Sequence, residues 1–395
     1  MAEITAVKMS YNPNDPEARD FIEKNILEKP EQLALKYAHD PIKKAWIKQI
    51  AIRQQIRKKL PDWYLNLDLI MPERLNAEQA SSQYTAQLKA SLIKGNTLVD
   101  GNGGFGVDTF YLSQSFKQTH YFEINQELEK ISTQNFKALH TDIQTHSSDV
   151  LKHLADYKGA TLYLDPARRD EQNNAVFGLE AYTPNIVPIW QQLKQNFSEI
   201  LVKTSPMLSI HQGLQQLAGV QHIWVISHKN ECKEVVYRFV KDQSTSVEIS
   251  AFNIMENGTH KFATALNTPQ KPLPLAEPKT YIYEPNASLL KAGVHDDYAQ
   301  QVQLGKLHQN SNFYTSKELI PDFQGRAFEL IEIKKAFDKK LKKGRFNVIS
   351  RNFPQKASAI EAKLQLKPSA QNDFLLATTL QNGSKTFLLT KLINA

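Results

Sequence analysis

Four carboxylates and one glycine-rich turn carry the chemistry this sequence offers. Leu98-Val99-Asp100 is a short apolar run ending in an acid, followed by Gly101-Asn102-Gly103-Gly104-Phe105-Gly106-Val107-Asp108. Glu123 closes a second apolar run, Tyr121-Phe122. Asp149 follows His146-Ser147-Ser148, and Asp165 ends Thr161-Leu162-Tyr163-Leu164 immediately before Pro166. Glycine has no Cβ, so backbone in such a turn can approach a ligand closely. The helix expected next, over 109–116, would present unpaired N–H groups and a partial positive charge. A nucleotide-like ligand suits that arrangement.

Gly101, Gly103 and Gly106 fit the dinucleotide spacing G-x-G-x-x-G. Asp100 directly before the first glycine would repel a pyrophosphate, and an NAD site has no task for Asp149. The pattern fits S-adenosylmethionine better, because that cofactor carries an ammonium and a sulfonium. Asp100 would then face its methionine end, Glu123 would accept both ribose hydroxyls, and Asp149 would accept from the adenine amino group. Proline fixes its own φ and biases the preceding residue to extended backbone. Asp165-Pro166 is therefore expected to present a carboxylate and the Pro166 carbonyl side by side. Two such acceptors can hold a base N–H and aim the nitrogen lone pair at a methyl group. Arg168 and Arg169 can hold phosphates in a bidentate fashion. Lys203, Ser205 and Pro206 end the fifth expected strand, where they would line the target pocket. A pyrimidine-carbon methyltransferase needs a cysteine nucleophile. The single cysteine, Cys232, has no general base at recognisable spacing, so nitrogen methylation is the better fit. One cysteine also leaves no internal disulfide and no cysteine-based zinc site, and the histidines form no metal-binding pattern.

These residues need a scaffold. Strand-like runs fall at 97–100, 119–123, 141–146, 160–165, 199–203 and 222–227, with helices at 126–140 and 185–196 between. Such alternation implies a parallel sheet with helices on both faces, and ligands sit at the carboxyl ends of its strands. Every candidate above lies at such an end. A final antiparallel hairpin is expected over 234–240. Residues 1–90 read as helical. Within them Lys43, Lys44, Lys48, Arg53, Arg57, Lys58 and Lys59 occur without an acid, which predicts a helix with one packed face and one basic face for RNA phosphates. Ser82 and Thr85, just before the first strand, are candidates to cover the methionine end of the cofactor. Two strands over 247–266 lead to a proline-rich linker holding Pro269, Pro272, Pro274 and Pro278. A small mixed unit over 280–323 follows. The last part predicts a strand over 327–332, a basic helix carrying Lys334, Lys335, Lys339, Lys340, Lys342, Lys343 and Arg345, and then further strands. Basic residues near the aromatic of Arg351-Asn352-Phe353-Pro354 suit RNA.

Several motifs together resemble a known group. They are the run from Asp100 to Thr109, Asp165-Pro166-Ala167-Arg168-Arg169, Ser205-Pro206-Met207-Leu208, Glu231-Cys232-Lys233-Glu234, Tyr283-Glu284-Pro285-Asn286-Ala287-Ser288, Lys306-Leu307-His308, Tyr314-Thr315-Ser316 and Arg351-Asn352-Phe353-Pro354. The chain resembles the class I S-adenosylmethionine-dependent methyltransferases, and within them a bacterial family with ferredoxin-like and THUMP-like C-terminal domains. The resemblance implies an α/β, Rossmann-like sheet with a helical N-terminal domain over 1–90. It implies a methyltransferase domain over 91–275, a ferredoxin-like domain over 276–323 and a THUMP-like domain over 324–395. It adds Gly104 and Asp108 to Asp100, Gly101, Gly103, Gly106, Glu123 and Asp149 as cofactor-binding positions. Asn102 departs from the Gly, Cys or Tyr common there, and is expected to line the loop without closing it.

The chain has 395 residues, 41% of them hydrophobic and 23% charged, with a formal charge of +7. That is ordinary for globular protein, with a lean toward a polyanionic partner. No apolar run approaches the roughly 18 residues of a membrane span, and no secretion leader is evident, so a cytoplasmic setting is expected. The function expected is methylation of a base nitrogen in tRNA or rRNA. The alternatives are the same fold acting on protein or a small molecule, or a catalytically silent RNA-binding protein.

Overall fold

The computed structural model describes residues 11–168, 178–243, 246–266 and 272–394. It divides into two compact units, Met1–Gln221 with Val236–Thr245, and His222–Val235 with Ser246–Ala395.

The first unit opens with helices that begin at prolines: α1 (Pro16–Asn25), α2 (Pro30–Lys36), α3 (Pro41–Ile56) and α4 (Pro61–Leu65). Proline costs nothing in the first turn, where its missing N–H would be unpaired anyway. Then come α5 (Arg74–Gln79) and α6 (Gln83–Leu92), the latter capped by Ser82, whose side chain accepts from Thr85 N. The alternating region follows: β1 (Gly95–Asp100), α7 (Val107–Ser113), β2 (Phe116–Phe122), α8 (Gln126–Ala138), β3 (Ile143–His146) and β4 (Thr161–Leu164). A short antiparallel pair, β5 (Ala167–Arg168) and β6 (Tyr182–Thr183), precedes α9 (Trp190–Asn196), β7 (Glu199–Thr204) and α10 (Ile210–Gln216). Strands β3, β2, β1, β4 and β7 lie side by side in that order, all parallel. Every residue of β4 and β7 is buried, as expected of central strands covered on both faces. The expected strands are present with ends shifted by a few residues. The expected helix 185–196 starts only at Trp190. The helix expected from 109 starts at Val107, because Gly106, at φ +79°, turns the chain into it.

The expectation for the basic helix needs correction. Arg53 is fully buried. Its Nη1 donates to the carbonyls of Trp63, Tyr64 and Asn66, and its Nη2 to that of Leu69. It pins the turn after α4 and has no place on a basic face. Countercharges absent from the local sequence arrive from elsewhere. Lys48 pairs with Glu73 and Lys43 with Asp40, while Lys59 donates to the carbonyls of Ala77 and Glu78. Only Lys44, Arg57 and Lys58 of the seven remain exposed without a carboxylate partner among the described residues. The apolar side of the same helix is spent on packing: Ile52 and Ile56 join Trp63, Phe105 and Tyr111 in one core cluster. That cluster binds the helical segment to the glycine turn.

In the second unit β8 (His222–His228) turns through Lys229-Asn230 into β9 (Glu231–Val240). Both turn residues have positive φ, the geometry that matches the twist of a two-residue hairpin. Only Glu231–Val235 of β9 belongs to this unit. Here β10 (Glu248–Met255) pairs parallel to β8, and β11 (Gly258–Ala265) antiparallel to β10. After them come β12 (Tyr281–Pro285), α11 (Ala287–Ala292), α12 (His295–Gln301), β13 (Gly305–Lys306), β14 (Tyr314–Ser316) and β15 (Gly325–Lys335). The chain ends with β16 (Asn347–Ser350), α13 (Ala357–Leu364), β17 (Asp373–Thr379) and β18 (Lys385–Asn394). These form one seven-stranded sheet in the order β13-β14-β12-β15-β18-β17-β16. Ile282, Phe313, Phe328, Leu376 and Leu388 fill its core. The expected basic helix after 332 does not form. Strand β15 continues through Lys335, held in register against β18 as far as Lys335 opposite Thr386, and only a single 3-10 turn, Lys339–Leu341, follows. The Asn382-Gly383 hairpin does form, with Gly383 at φ +81°.

Replacing Arg53 by Met takes the guanidinium donors away from the carbonyls of Trp63, Tyr64, Asn66 and Leu69, of which Asn66 O keeps only Leu69 N at 3.3 Å. We expect a loss of about 3 kcal/mol or more in urea unfolding, against less than about 0.5 kcal/mol for Lys44→Gln on the exposed side of α3.

Candidate active site

The glycine turn is fixed from three sides. Gly101 N donates to Tyr163 O at 2.9 Å and Gly103 N to Phe122 O at 3.0 Å, so the loop is stitched to the ends of β4 and β2. Tyr121 Oη and Ser132 Oγ both donate to Gly104 O, at 2.5 and 3.1 Å. A Cβ on Gly103 would stand 2.3 Å from the Tyr121 ring, and one on Gly101 2.6 Å from Leu164. At Gly104 nothing lies within 4 Å of the corresponding point. The loop is therefore packed beneath and open above.

The acids take different surroundings. Glu123, partly exposed at the end of β2, accepts Gly104 N at 3.1 Å on one oxygen and Asn125 N at 2.8 Å on the other. Each oxygen keeps a lone pair for a further donor. Its neighbour Ile124 is 65% exposed, an apolar surface at the mouth of the site that sequence reading passed over. Asp149 is partly exposed and accepts Leu151 N at 2.9 Å, next to Val150, which packs beneath Gly101. Asp100 is fully buried. Its oxygens accept Thr109 Oγ1 at 2.7 Å and Asn102 N at 3.3 Å. The sequence led to an acid facing the ligand; the structure turns this carboxylate inward, where it shapes the loop. Burial, and secondarily the charge of Asp108, pushes its carboxyl up to about 7.

Asp108 is buried too, with the opposite outcome. Lys89 Nζ lies 2.9 Å from one oxygen, while Lys203 Nζ, Tyr163 Oη and Ser81 Oγ reach the other at 3.0, 2.7 and 2.7 Å. Although burial is the largest influence and works against the charge, the two ammoniums hold its carboxyl well below the usual range. The loop motif made Asp108 a cofactor-facing residue; its oxygens are instead spent on this ion cluster. Lys203 continues to Asp165, at 2.5 Å from Oδ2, and also donates to Ser81 Oγ at 2.7 Å. Lys203 is 7% exposed, so it is an anchor for Asp165 more than a pocket wall.

Asp165 itself is partly exposed, and Pro166 is buried. Asn102 clamps the backbone of Asp165 from across the loop: its Nδ2 donates to Asp165 O, and its Oδ1 accepts Asp165 N at 3.0 Å. A residue expected merely to line the loop thus joins the β1 turn to the Asp-Pro turn. Ser205 and Pro206 are partly exposed just past β7. Arg168 lies in β5, and Arg169 falls outside the described residues. Ser82 and Thr85 are occupied in capping α6. Ser81, one position earlier, is the residue in the cluster. Lys89 was also missed; nothing in its local sequence separates it from a surface lysine. Cys232 is partly buried, and burial pushes its thiol up, the reverse of what a nucleophile needs. Among the described residues no group of three His, Cys, Asp or Glu could hold a metal, and no helix is long and apolar enough to cross a membrane.

A crystal structure of a putative methyltransferase from Porphyromonas gingivalis W83 superimposes on this chain with a TM-score of 0.83 and 28% identity, over 96% of this chain and 98% of that one. The fold is that of a class I methyltransferase. Residues 281–323 match the model of a ferredoxin-like domain, and residues 325–391 one described as THUMP domain-like. Similarity over part of the methyltransferase fold extends to two further structures. M. capricolum TrmK in complex with S-adenosyl-homocysteine is 15% identical over 40% of this chain and 68% of its own, at a TM-score of 0.32. The T. Thermophilus 16S rRNA N2 G1207 methyltransferase, in complex with AdoMet and guanosine, is 14% identical over 41% and 44%, also at 0.32. No curated protein matches the sequence.

Two measurements test this geometry. Gly103→Ala should lower Tm far more than Gly104→Ala, since the first collides with a ring tied down by its hydroxyl and the second pays only the strain of a positive φ, about 1 kcal/mol. Asp100 has a raised folded pKa, so its stabilising contribution is complete in acid and is lost as pH rises toward about 7. The stability of Asp100→Asn relative to wild type should accordingly improve between pH 5 and pH 8. A pH-independent gap would show that Asp100 does not titrate in that window.

Proposed function

We propose that the protein transfers a methyl group from S-adenosylmethionine to a base nitrogen of RNA, with tRNA or rRNA as the acceptor, in the cytoplasm. The observation that carries this reading is the fixed Asp165-Pro166 turn standing beside an open-topped glycine loop.

The residues present fit the cofactor. The exposed backbone at Gly104 and the free lone pairs of Glu123 suit a ribose, Ile124 offers an apolar face for an adenine ring, and Asp149 an acceptor for its amino group. The Asn102 side chain borders the methionine end, while Gly101, Gly103 and Gly106 hold the loop in shape, with Asp100 and Asp108 supporting it from below. When bound, the cofactor supplies an electrophilic methyl group on a sulfonium.

The rest is positioning. Asp165, held by Lys203 and by the Asn102 clamp, accepts an N–H of the target base. The Pro166 carbonyl is the second acceptor. With the N–H directed there, the nitrogen lone pair points at the methyl carbon. The cofactor would supply the methyl group and retain the electron pair of the broken carbon–sulfur bond, and Asp165 would accept the surplus nitrogen proton and pass it to water. Holding reactants in near-attack geometry is the largest contribution available to such a site, and the carboxylate adds proton acceptance. Ser205 and Pro206 line the acceptor side. Arg168 and Arg169 are assigned to the RNA phosphates. The THUMP-like match and the exposed lysines near it support RNA over a protein or small-molecule acceptor.

Asp165→Ala should abolish transfer while leaving cofactor affinity within a few-fold. Tritium transfer from labelled S-adenosylmethionine to size-fractionated RNA from a strain lacking the protein measures the first, and calorimetric titration the second. Counts in the tRNA or rRNA band, absent with the variant, would establish the reaction. Cold RNA with intact cofactor binding would refute the RNA assignment, and lost cofactor binding would mean that Asp165 belongs to the cofactor site.

A further inference from the structure

His120 and His146 stand 26 residues apart in the chain. They meet because β2 and β3 pair in parallel with Phe122 opposite His146. Alternate residues of a strand share a face, so His120, Phe122 and His146 lie on the same side of the sheet. The 3-10 turn Leu154–Tyr157 brings Tyr157 to them. His120 Nδ1 lies 3.2 Å from His146 Nε2, and Tyr157 Oη lies 3.4 Å from the first and 3.5 Å from the second. Three donor atoms thus form a nearly equilateral triangle. Hydrogen bonds alone complete at most two of its edges, because each ring nitrogen offers one position, a proton or a lone pair, and the phenol has one proton. Burial is the first cause that holds both imidazoles below their ordinary pKa. Both are therefore neutral near pH 7, the form that ligates metals. All three side chains are partly exposed, so an ion can reach them.

We propose that His120, His146 and Tyr157 form a site for a zinc-class divalent cation, with a water as its fourth ligand. Tetrahedral zinc, at about 2.0–2.1 Å from each donor, sets its ligands about 3.3–3.4 Å apart. That is the size of this triangle. The third donor is a phenol oxygen, so the set is not one of three His, Cys, Asp or Glu. Two imidazoles select a zinc-class ion over magnesium or calcium, which take oxygen ligands. The two nitrogens face each other, with ring centroids 5.5 Å apart. The ring torsion of histidine is broad, so a small turn of each ring aims both lone pairs at an ion above the triangle. Phe122 backs the set: His146 stacks on it at 4.4 Å between centroids, and Tyr157 meets it edge-on at 5.7 Å. His146 and Tyr157 flank Asp149 in sequence. The segment between them is already tied by His153, whose ring lies 3.0 Å from Ser148 Oγ and 3.3 Å from Asp156 Oδ2. A cation joining β2, β3 and the 3-10 turn anchors that segment at both ends, with Asp149 inside it. The role of the ion is structural.

The test titrates Zn²⁺ into full-length protein stripped with a chelator, reading Tm and bound equivalents. It compares wild type, His146→Asn, Tyr157→Phe and, as a control at an exposed position elsewhere, His211→Asn. Co²⁺ serves as a coloured probe, since tetrahedral cobalt absorbs strongly in the visible and octahedral cobalt weakly. Wild type should bind about one equivalent of Zn²⁺ with a rise in Tm, and should give the strong cobalt bands. Changes even to the outer partners of a metal cost about 10–100-fold in affinity. His146→Asn should therefore lose about a hundredfold and Tyr157→Phe about tenfold, while His211→Asn loses nothing. Tyr157→Phe keeps its ring and packing, so it decides the matter if His146→Asn does not fold. Zn²⁺ that leaves the wild-type Tm unchanged, a weak octahedral cobalt spectrum, or equal affinity in wild type and Tyr157→Phe overturns the inference. Zinc binding needs neither S-adenosylmethionine nor RNA, so the site and the methyltransferase function stand or fall separately.

Discussion

The methyltransferase unit depends on one buried carboxylate. Asp108 sits in the first turn of α7, where the helix dipole favours a negative charge, and it draws Lys89 from α6 and Lys203 from β7 into the interior. Two ammoniums around one carboxylate leave a positive surplus, and Asp165 takes it up through Lys203. Burying ions is costly, and removing one partner of such a set leaves an uncompensated charge. The four elements that carry these residues therefore have little freedom to slide against one another. The position of the Asp165 carboxylate follows from that constraint, as the position of its backbone follows from Asn102.

Asp100 and Asp108 stand eight positions apart, are both buried, and end in opposite protonation regimes. Asp100 has hydroxyl and amide donors but no cation, so desolvation raises it into the neutral range. Asp108 has two ammoniums, so it stays ionised. Environment, not residue type, separates a carboxylate that only shapes a loop from one that organises a domain. A glycine motif read by spacing treats the two alike.

This is where the sequence was readable and where it was not. The rhythm of apolar run then acid put Glu123 and Asp165 at the ends of β2 and β4, which flank β1, and Asp149 past the end of the edge strand β3; it is clearest at β4, because a central parallel strand is apolar along its length. Direction of a side chain has no such signature. Arg53 looked like part of a charged face and is a buried donor. Lys89 carries no local mark of burial and lies buried beside Asp108. Asn102 looked like a tolerated departure and is the clamp on the Asp165 backbone. Residues 334–345 were read as a basic helix from their charge, yet Lys334 and Lys335 extend β15 against β18 and only a single 3-10 turn, Lys339–Leu341, follows; where the strands pair, a ladder of backbone hydrogen bonds outweighs a weak helical preference.

The same distinction governs how the charge of +7 should be understood. Much of the positive charge is spent internally. Lys89 and Lys203 neutralise acids, Arg53 serves carbonyls, and Lys43 and Lys48 have carboxylate partners. Charge already committed in this way contributes little to a polyanion's field. Part of what remains lies on one short stretch of the THUMP-like part, where Lys335, Lys339, Lys340, Lys342, Lys343 and Arg345 are exposed and pair with no carboxylate among the described residues. A cluster of unpaired cations on one short stretch attracts phosphate without reading sequence. Around Asp165, by contrast, Asp108, Lys89 and Lys203 are locked in buried pairs, where salt screens them little. On the proposed function, that stretch would help attract the acceptor, while the chemistry would fall to the first unit. Added salt should weaken that attraction long before it disturbs the chemistry.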